Sequence, residues 1–270
     1  MLNLAFFNTW EGQAEGYKEW STNAYLPYDI VGLSEVNSHP QSFPNNRVVF
    51  PNQYESLLAS YRDTHRGYFG PSASSSQGID YGLAFFHRYG CPVYNIQSEV
   101  IHGQPGAKWV FPRLISSCNQ IPSAWVDLGS AWLLFAHTHC LWRSTGKHDC
   151  VERDVQSARI VNHLERRLYE VSTQGKVIHV ILGGDFNMTR KSRAFESIRS
   201  HPLFGQQGAV VLNDRLEDGL DTRTKLYGEE KETRQADYVL VSGALANYAT
   251  LHIDRSVPSD HALLSVQLTI

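Results

Sequence analysis

Asn8, Glu35, His139, Asp185, Asn187, Asp237, Asp260 and His261 share one kind of position: each stands at or beside the end of a short apolar run. "LNLAFF" (2–7) ends at Asn8, and "DIVGLSEV" (29–36) delivers Glu35. "AWLLFAHTH" (131–139) delivers His137 and His139, and "KVIHVILGG" (176–184) runs into Asp185 and Asn187. "ADYVLVS" (236–242) carries Asp237, and "PSDHALL" sets Asp260 and His261 against "ALLSVQL" (262–268). These residue types suit a metal ion and a phosphorus centre. Hard cations such as Mg²⁺ take oxygen ligands, usually one or two carboxylates with water and substrate oxygens. Glu35 and Asp260 fit that role, with Asn8 as a neutral amide ligand. A water for in-line attack must be oriented and deprotonated, which a histidine held by a carboxylate does well. Asp237 is the candidate to hold His261. Asp185 and Asn187 are then expected to position the water or a phosphate oxygen. Gly183 and Gly184 let the backbone turn sharply and the substrate approach closely.

Taken singly, each residue has a plain structural reading. Asn8 can form a turn, Asp185-Phe186-Asn187 an Asx-type turn, and Asp260-His261 a loop cap. Their recurrence at the ends of successive buried strands is what points to a site, because loops on a rigid scaffold concentrate catalytic groups.

The elements that must position these residues are short runs rich in Val, Ile, Leu and Phe, which predict strands. "YGLAFFH" (81–87) is another, and "PRLISSCNQIPSAWVDLGSAWLLFAHTHC" predicts two strands joined at Gly129-Ser130. A helix is predicted over 152–175, with Val155, Ala158, Ile160, Val161, Leu164, Leu168 and Val171 on one face and Gly175 as its stop. A second helix is predicted over 190–200. Many strands with few helices predict two packed sheets with helices outside. "PSASSSQG" (71–78) is too short for a linker and is taken as a surface loop, so residues 1–270 are expected to form a single domain.

In order along the chain, "FFNTW" (6–10), "DIVGLSEV" (29–36), "YGLAFFHR" (81–88), "FAHTHC" (135–140), "GGDFN" (183–187), "ADYVLVS" (236–242) and "SDHALL" (259–264) resemble the endonuclease/exonuclease/phosphatase superfamily, the deoxyribonuclease I-like enzymes. The resemblance spans almost the whole chain. It implies an α+β fold, a four-layer α/β sandwich of two packed mixed β-sheets flanked by helices. It implies a metal-dependent phosphoric-ester hydrolase using Mg²⁺ or Mn²⁺. Asn8, Glu35 and Asp260 would bind metal, His139 would contact the scissile phosphate, and Asp185 and Asn187 would orient the nucleophile. His261, paired with Asp237, would be the acid/base. Arg113 matches the family's phosphate-binding arginine, and Asp80 matches loosely a glutamate that supports the first histidine. "HTHC" departs from the common "NTHL", with His137 for Asn and Cys140 for Leu. The histidine motif also differs from that of AP endonucleases, which argues against abasic-site cleavage as the main activity.

"HTHCLWRSTGKHDC" (137–150) gathers His137, His139, Cys140, His148 and Cys150, a candidate zinc set. The spacing fits no standard zinc module, and strand alternation turns Cys140 away from the two histidines. An active-site loop that contains cysteines is the favoured reading. Basic residues follow both motifs: "TRKSR" (189–193), and Arg143, Lys147 and Arg153. They could track phosphates with salt-dependent affinity, and Trp10, Trp109, Trp142 and Tyr68 could stack bases, although core packing is the plainer use of such rings. Nucleic acid is therefore the leading substrate class. A lipid or small phosphoester is the alternative, with "GAKWVFP" (106–112) as a faint lipid-facing candidate. A non-catalytic binding module is disfavoured because every site position holds a competent residue.

The net charge of −3 excludes a constitutively basic nucleic-acid coat protein. Four cysteines without a C-x-x-C pair predict reduced thiols in a cytoplasmic protein, and a monomer is the expected state. No leader-like start and no run of transmembrane length is visible, so no integral membrane association is expected.

Overall fold

The computed structural model describes the chain apart from residues 39–51, 76–78, 105–106, 111–112, 115–117, 145, 220 and 228–233, and apart from the side chains of 75, 107–110 and 113–114. Its strands are β1 (Leu2–Asn8), β2 (Ile30–Ser38), β3 (His65–Ser75), β4 (Asp80–Arg88), β5 (Val93–His102), β6 (Ala107–Val110), β7 (Arg113–Leu114), β8 (Asn119–Asp127), β9 (Ala131–His139), β10 (Val177–Asp185), β11 (Val210–Val211), β12 (Asp237–Val241), β13 (Ala249–Asp254) and β14 (Leu263–Leu268). Its α-helices are α1 (Tyr17–Ala24), α2 (Gln53–Tyr61), α3 (Val151–Val171) and α4 (Arg193–Arg199).

One sheet has the order β13-β14-β1-β2-β4-β3-β6-β7 and the other β11-β12-β10-β9-β8-β5. Both are mixed: β1–β2 and β9–β10 pair in parallel, while β1–β14 and β10–β12 pair antiparallel. Alternation along each strand builds the layers. Phe6 of β1 and Leu133 and Phe135 of β9 point into the core between the sheets, where the Phe6 and Phe135 rings stack at 4.9 Å. Ala5 and Phe7 point the other way, onto Tyr17 of α1 and Leu57 of α2. Leu134 and Ala136 point outward to Ile160 and Leu164 of α3 and Phe195 of α4. The result is the expected four-layer sandwich of helices, sheet, sheet and helices. Burying each such large apolar side chain contributes about 1.5–3 kcal/mol.

The differences from the sequence reading have physical causes. Helix α3 ends at Val171, and a 3₁₀ turn over 172–174 leads to Gly175 at φ 71°. Val155 and Ala158 are exposed; the buried face is completed by Arg153, Gln156, Ser157, His163 and Arg167, polar residues that an apolar pattern cannot reveal. The second helix begins at Arg193, where the Ser192 hydroxyl caps it by accepting from the Phe195 N–H at 3.2 Å. Pro71–Ser75 lie in β3, with a register shift between Pro71 and Ala73, rather than in a loop.

Candidate active site

The strand register brings the polar ends together. His139 and Asp185 are paired neighbours at the ends of β9 and β10, and Asp185 faces Asp237 across the antiparallel β10–β12 pair. Asn8 ends β1 in the facing sheet. Glu35 reaches the same spot because β2 bulges: its register against β4 shifts between Leu33 and Val36, and Glu35 adopts φ 56°. Asn187 likewise sits at φ 49°. Positive φ at a non-glycine residue is uncommon and tends to collect at functional sites.

The contacts form one cluster. The Asn8 amide donates from Nδ2 to Glu35 Oε1 at 2.9 Å and to Asp185 Oδ2 at 3.1 Å. Its Oδ1 accepts from the Trp10 N–H at 3.0 Å. A backbone N–H can only donate, so the amide shows its NH₂ group to the carboxylates. Asn8 therefore sets their spacing as a donor, where an oxygen ligand was expected. His139 Nε2 lies 3.6 Å from Glu35 Oε1 and 3.9 Å from Asp185 Oδ2. His261 Nδ1 donates to both oxygens of Asp237, at 2.9 and 3.0 Å, and its Nε2 lies 3.5 Å from Asp185 Oδ2 and 3.7 Å from Asp260 Oδ1. Asn187 donates from its backbone N to Asp185 Oδ1 at 2.8 Å and from Nδ2 to the Cys140 carbonyl at 3.1 Å. The Asx turn is thus present and serves the cluster.

Burial shapes the charges. It lowers His261 to about 3, helped by the Arg223 guanidinium, so the imidazole is neutral. It raises Asp237 to about 6 and pushes Glu35 and Asp260 upward. Glu11, in the 3₁₀ turn after Asn8, is raised to about 7 by burial and by Glu35. So many crowded carboxyls would be relieved by a cation. The donor set fits one: Glu35, His139 and Asp185 form one group of convergent ligand atoms, and Asp185, Asp237 and His261 another, each within 4.8 Å. Nε2 of His139 and Oδ1 of Asp260 are buried without a hydrogen-bond partner, as ligands awaiting an ion would be. Asp185, expected only to orient the nucleophile, belongs to both groups, whereas Asp260 belongs to neither.

Other expectations land elsewhere. The carboxylate of Asp80 accepts from the Ser74 hydroxyl at the start of β4, and among the described contacts it reaches no histidine. Arg113 begins β7, and its side chain lies outside the described residues, as do the Trp109 side chain and much of "GAKWVFP". His137, Cys140, His148 and Cys150 do not converge. Cys140 is buried under α3 with its thiol pushed up to about 12 by burial, His148 is exposed, and His137 bonds Ser34 Oγ at 3.0 Å between the sheets. Arg153 is fully buried and donates to the carbonyls of Leu141, Gly146 and His148, so it anchors the loop and does not face phosphate. Lys147, on that loop, bonds the Gln235 carbonyl and is lowered to about 8 by burial and then by Arg223.

Sequence reasoning missed Arg223. It is buried, and its Nη1 donates to His261 Nε2 and, at 3.1 Å, to Asp260 Oδ2. "TRT" (222–224) has no strand periodicity, and its only signal was an arginine between two threonines. Ser259 was also missed; its hydroxyl donates to the Asn8 carbonyl at 2.8 Å and accepts from the His261 N–H at 3.1 Å, tying β1 to the last segment of the site.

Two mixed sheets stacked face to face between helices, with this cluster at the strand ends, define a deoxyribonuclease I-like α/β sandwich. A model of the Endonuclease/Exonuclease/phosphatase family matches residues 3–261, and the chain belongs to that family. The superfamily is one of divalent-metal-dependent, hydrolytic phosphoesterases that includes nucleases and phosphatases. Among solved structures, the chain is similar to an endonuclease/exonuclease/phosphatase family protein from Leptotrichia buccalis, at 16% identity and TM-score 0.68 with 100% of each chain covered. It is similar to the human Nocturnin catalytic domain with bound sulfate anion, at 16% identity and TM-score 0.68, covering 99% of this chain and 93% of that one. It is similar to the mannosyl-6-phosphatase of Bacteroides thetaiotaomicron, at 14% identity and TM-score 0.64 with 100% of each covered. At these identities the likeness is one of fold. A sequence comparison with curated proteins returns no match.

Proposed function

We propose that the protein is a metal-dependent phosphodiesterase acting on nucleic acid, with residues 1–270 as one catalytic domain. The observation that carries the reading is the convergence of Asn8, Glu35, His139, Asp185, Asp237 and His261 from both sheets onto one buried spot. Neutral His261, oriented by Asp237, takes a proton from the attacking water at Nε2. The water oxygen bonds to phosphorus as the bond to the leaving oxygen breaks. Asp185 and Asn187 orient that water, and His139 faces the phosphate. Mg²⁺ or Mn²⁺, held by Glu35 and Asp185 with Asp260 nearby, would neutralise charge at phosphorus and assist the leaving oxygen. Trp142, three residues after His139 and 68% exposed, would be free to stack on a base; Trp10 and Tyr68 instead pack against the apolar cores.

One observation favours a phosphomonoesterase as second reading. Three of the basic residues expected to track a nucleic-acid backbone are paired with acids: Arg143 with Glu152 at 3.1 Å, Arg190 with Asp214 at 2.7 Å, and Arg193 with Asp154. Plasmid DNA, single-stranded DNA, RNA, sphingomyelin and sugar and inositol phosphates, each assayed with Mg²⁺ and with EDTA, decide between the readings. Metal-dependent release from DNA or RNA alone is expected. Turnover confined to monoesters would overturn the nuclease reading, and turnover of none would overturn both.

A further inference from the structure

The backbone around Arg223 is fastened on both sides. The Thr222 hydroxyl accepts from the N–H groups of Ala236 and Asp237, at 3.2 and 3.1 Å. The Thr222 carbonyl accepts from Ala262 at 2.9 Å, and Thr224 N donates to the Asp260 carbonyl at 3.1 Å. The Thr224 hydroxyl donates to the Ser259 carbonyl, and Arg223 forms an isolated antiparallel bridge with His261 itself. Thr222, Arg223 and Thr224 are all buried. The short segment is therefore stitched between the Asp237 strand and the Asp260–His261 turn, and it carries a guanidinium to the reacting centre.

That placement has a chemical consequence. An imidazole whose Nδ1–H is given to Asp237 has one lone pair, on Nε2, and Arg223 occupies it. A base in that state cannot take a proton from water. Arg223 also holds Asp260, so it can swing off Nε2 while keeping one ion pair. A guanidinium presents several donors in a planar fork suited to phosphate oxygens. Resting on the proposed phosphoester hydrolysis, we infer that Arg223 is a catalytic residue that caps His261 in the free protein and transfers its hydrogen bond to a non-bridging oxygen of the bound phosphate, thereby releasing the base. The exchange moves hydrogen bonds only, and no covalent bond changes until water attacks. The anion thus uncovers the base that will act on it, and the site stays quiet toward water alone.

The test uses the whole protein and inorganic phosphate as the probe, in Mg²⁺ buffer. The ¹⁵N resonance of His261 Nε2 should move downfield, toward that of an unbonded lone pair, as phosphate saturates the protein. In Arg223→Met and Arg223→Lys, whose folding is checked by circular dichroism, that resonance should start at the downfield position and respond little. Both variants should bind phosphate more weakly, and Arg223→Met should lose roughly 100-fold in kcat/KM on bis(p-nitrophenyl) phosphate, the scale of losing one transition-state donor, with partial rescue by added guanidinium. An unmoved His261 resonance at saturation, failure of the wild-type protein to bind phosphate, or equal phosphate affinity in a folded variant would each make Arg223 a structural counter-ion and overturn the inference. The titration needs no turnover, so it decides this role even if the wild-type protein hydrolyses no phosphoester.

Discussion

In the proposed mechanism His261 is the base, and Asp237 aims it by fixing which nitrogen carries the proton. Burial, with Arg223 beside it, lowers the imidazole to about 3 in the free protein, and moving Arg223 off Nε2 is what would restore its basicity. His261→Ala should therefore lower kcat by roughly 10²–10⁴-fold, the usual worth of a positioned general base, while the thermal melting point stays close to wild type. Activity within a few-fold of wild type in steady-state assays would contradict the assigned role. The residues of this cluster were legible in the sequence because strand ends are legible: an apolar run that stops on Asp, Asn or His announces itself. Arg223 and Arg153 were not. One sits in an aperiodic segment, and the other lies on a helix face that looks solvent-exposed until its three carbonyl partners are seen. The donor role of Asn8 also depends on a neighbouring backbone N–H that no spacing rule supplies.

Elements differ in legibility for a related reason. The central strands β1, β2, β4, β9, β10, β12 and β14 are nearly continuous apolar runs because both faces are covered, and they stand out. Strands β5 and β13 lie at sheet edges, carry Tyr94, Asn95, Thr250 and His252 exposed to solvent, and lose that signature. Helices α1 and α2 do space Tyr17, Trp20 and Ala24, and Tyr54, Leu57 and Tyr61, for one face, but at eight and nine residues they are too short for the period to stand out. The loop between β9 and α3 is the case with functional weight. It carries Lys147 near Asp185, Asp237 and Arg223, its described residues lie outside any helix or strand, and buried Arg153 satisfies the Leu141, Gly146 and His148 carbonyls. Arg153→Met keeps the apolar stem and removes the donors. Leaving a buried carbonyl unpaired costs about 1–3 kcal/mol, and of the three bonds the one to Leu141 is buried, so the variant should lose about 1–3 kcal/mol in urea unfolding and become more susceptible to proteolysis between 141 and 150. Unchanged unfolding together with unchanged proteolysis would show that the loop does not depend on this anchor.

At the scale of the whole molecule, the two sheets meet behind the site on one histidine. His137 of β9 is fully buried, stacks on Phe6 of the facing sheet at 6.0 Å, and bonds Ser34 beside the Glu35 bulge. The joint is built around its ring. A Cβ at Gly32 would come within 2.5 Å of the imidazole, and one at Gly184, where φ is 130°, would meet the Thr138 carbonyl at 2.1 Å and the ring at 3.1 Å. Burial, with His139 adding repulsion, lowers His137 to about 3 from 6.5. The unfolded chain thus binds a proton here across that window and the folded chain does not, so stability is fully present above about pH 6.5 and is lost as pH falls toward about 3. Each tenfold difference in proton affinity between the two states is worth ~1.4 kcal/mol, so the loss reaches a few kcal/mol. Because the ring bridges both sheets, its protonation should weaken the sandwich as a unit and not merely fray a strand. His137→Asn, which places the family's usual residue there, should flatten the acid limb of urea midpoint against pH between 6.5 and 3 relative to wild type, whatever it does to stability at neutral pH. Parallel acid limbs in the two proteins would place the acid sensitivity elsewhere in the fold.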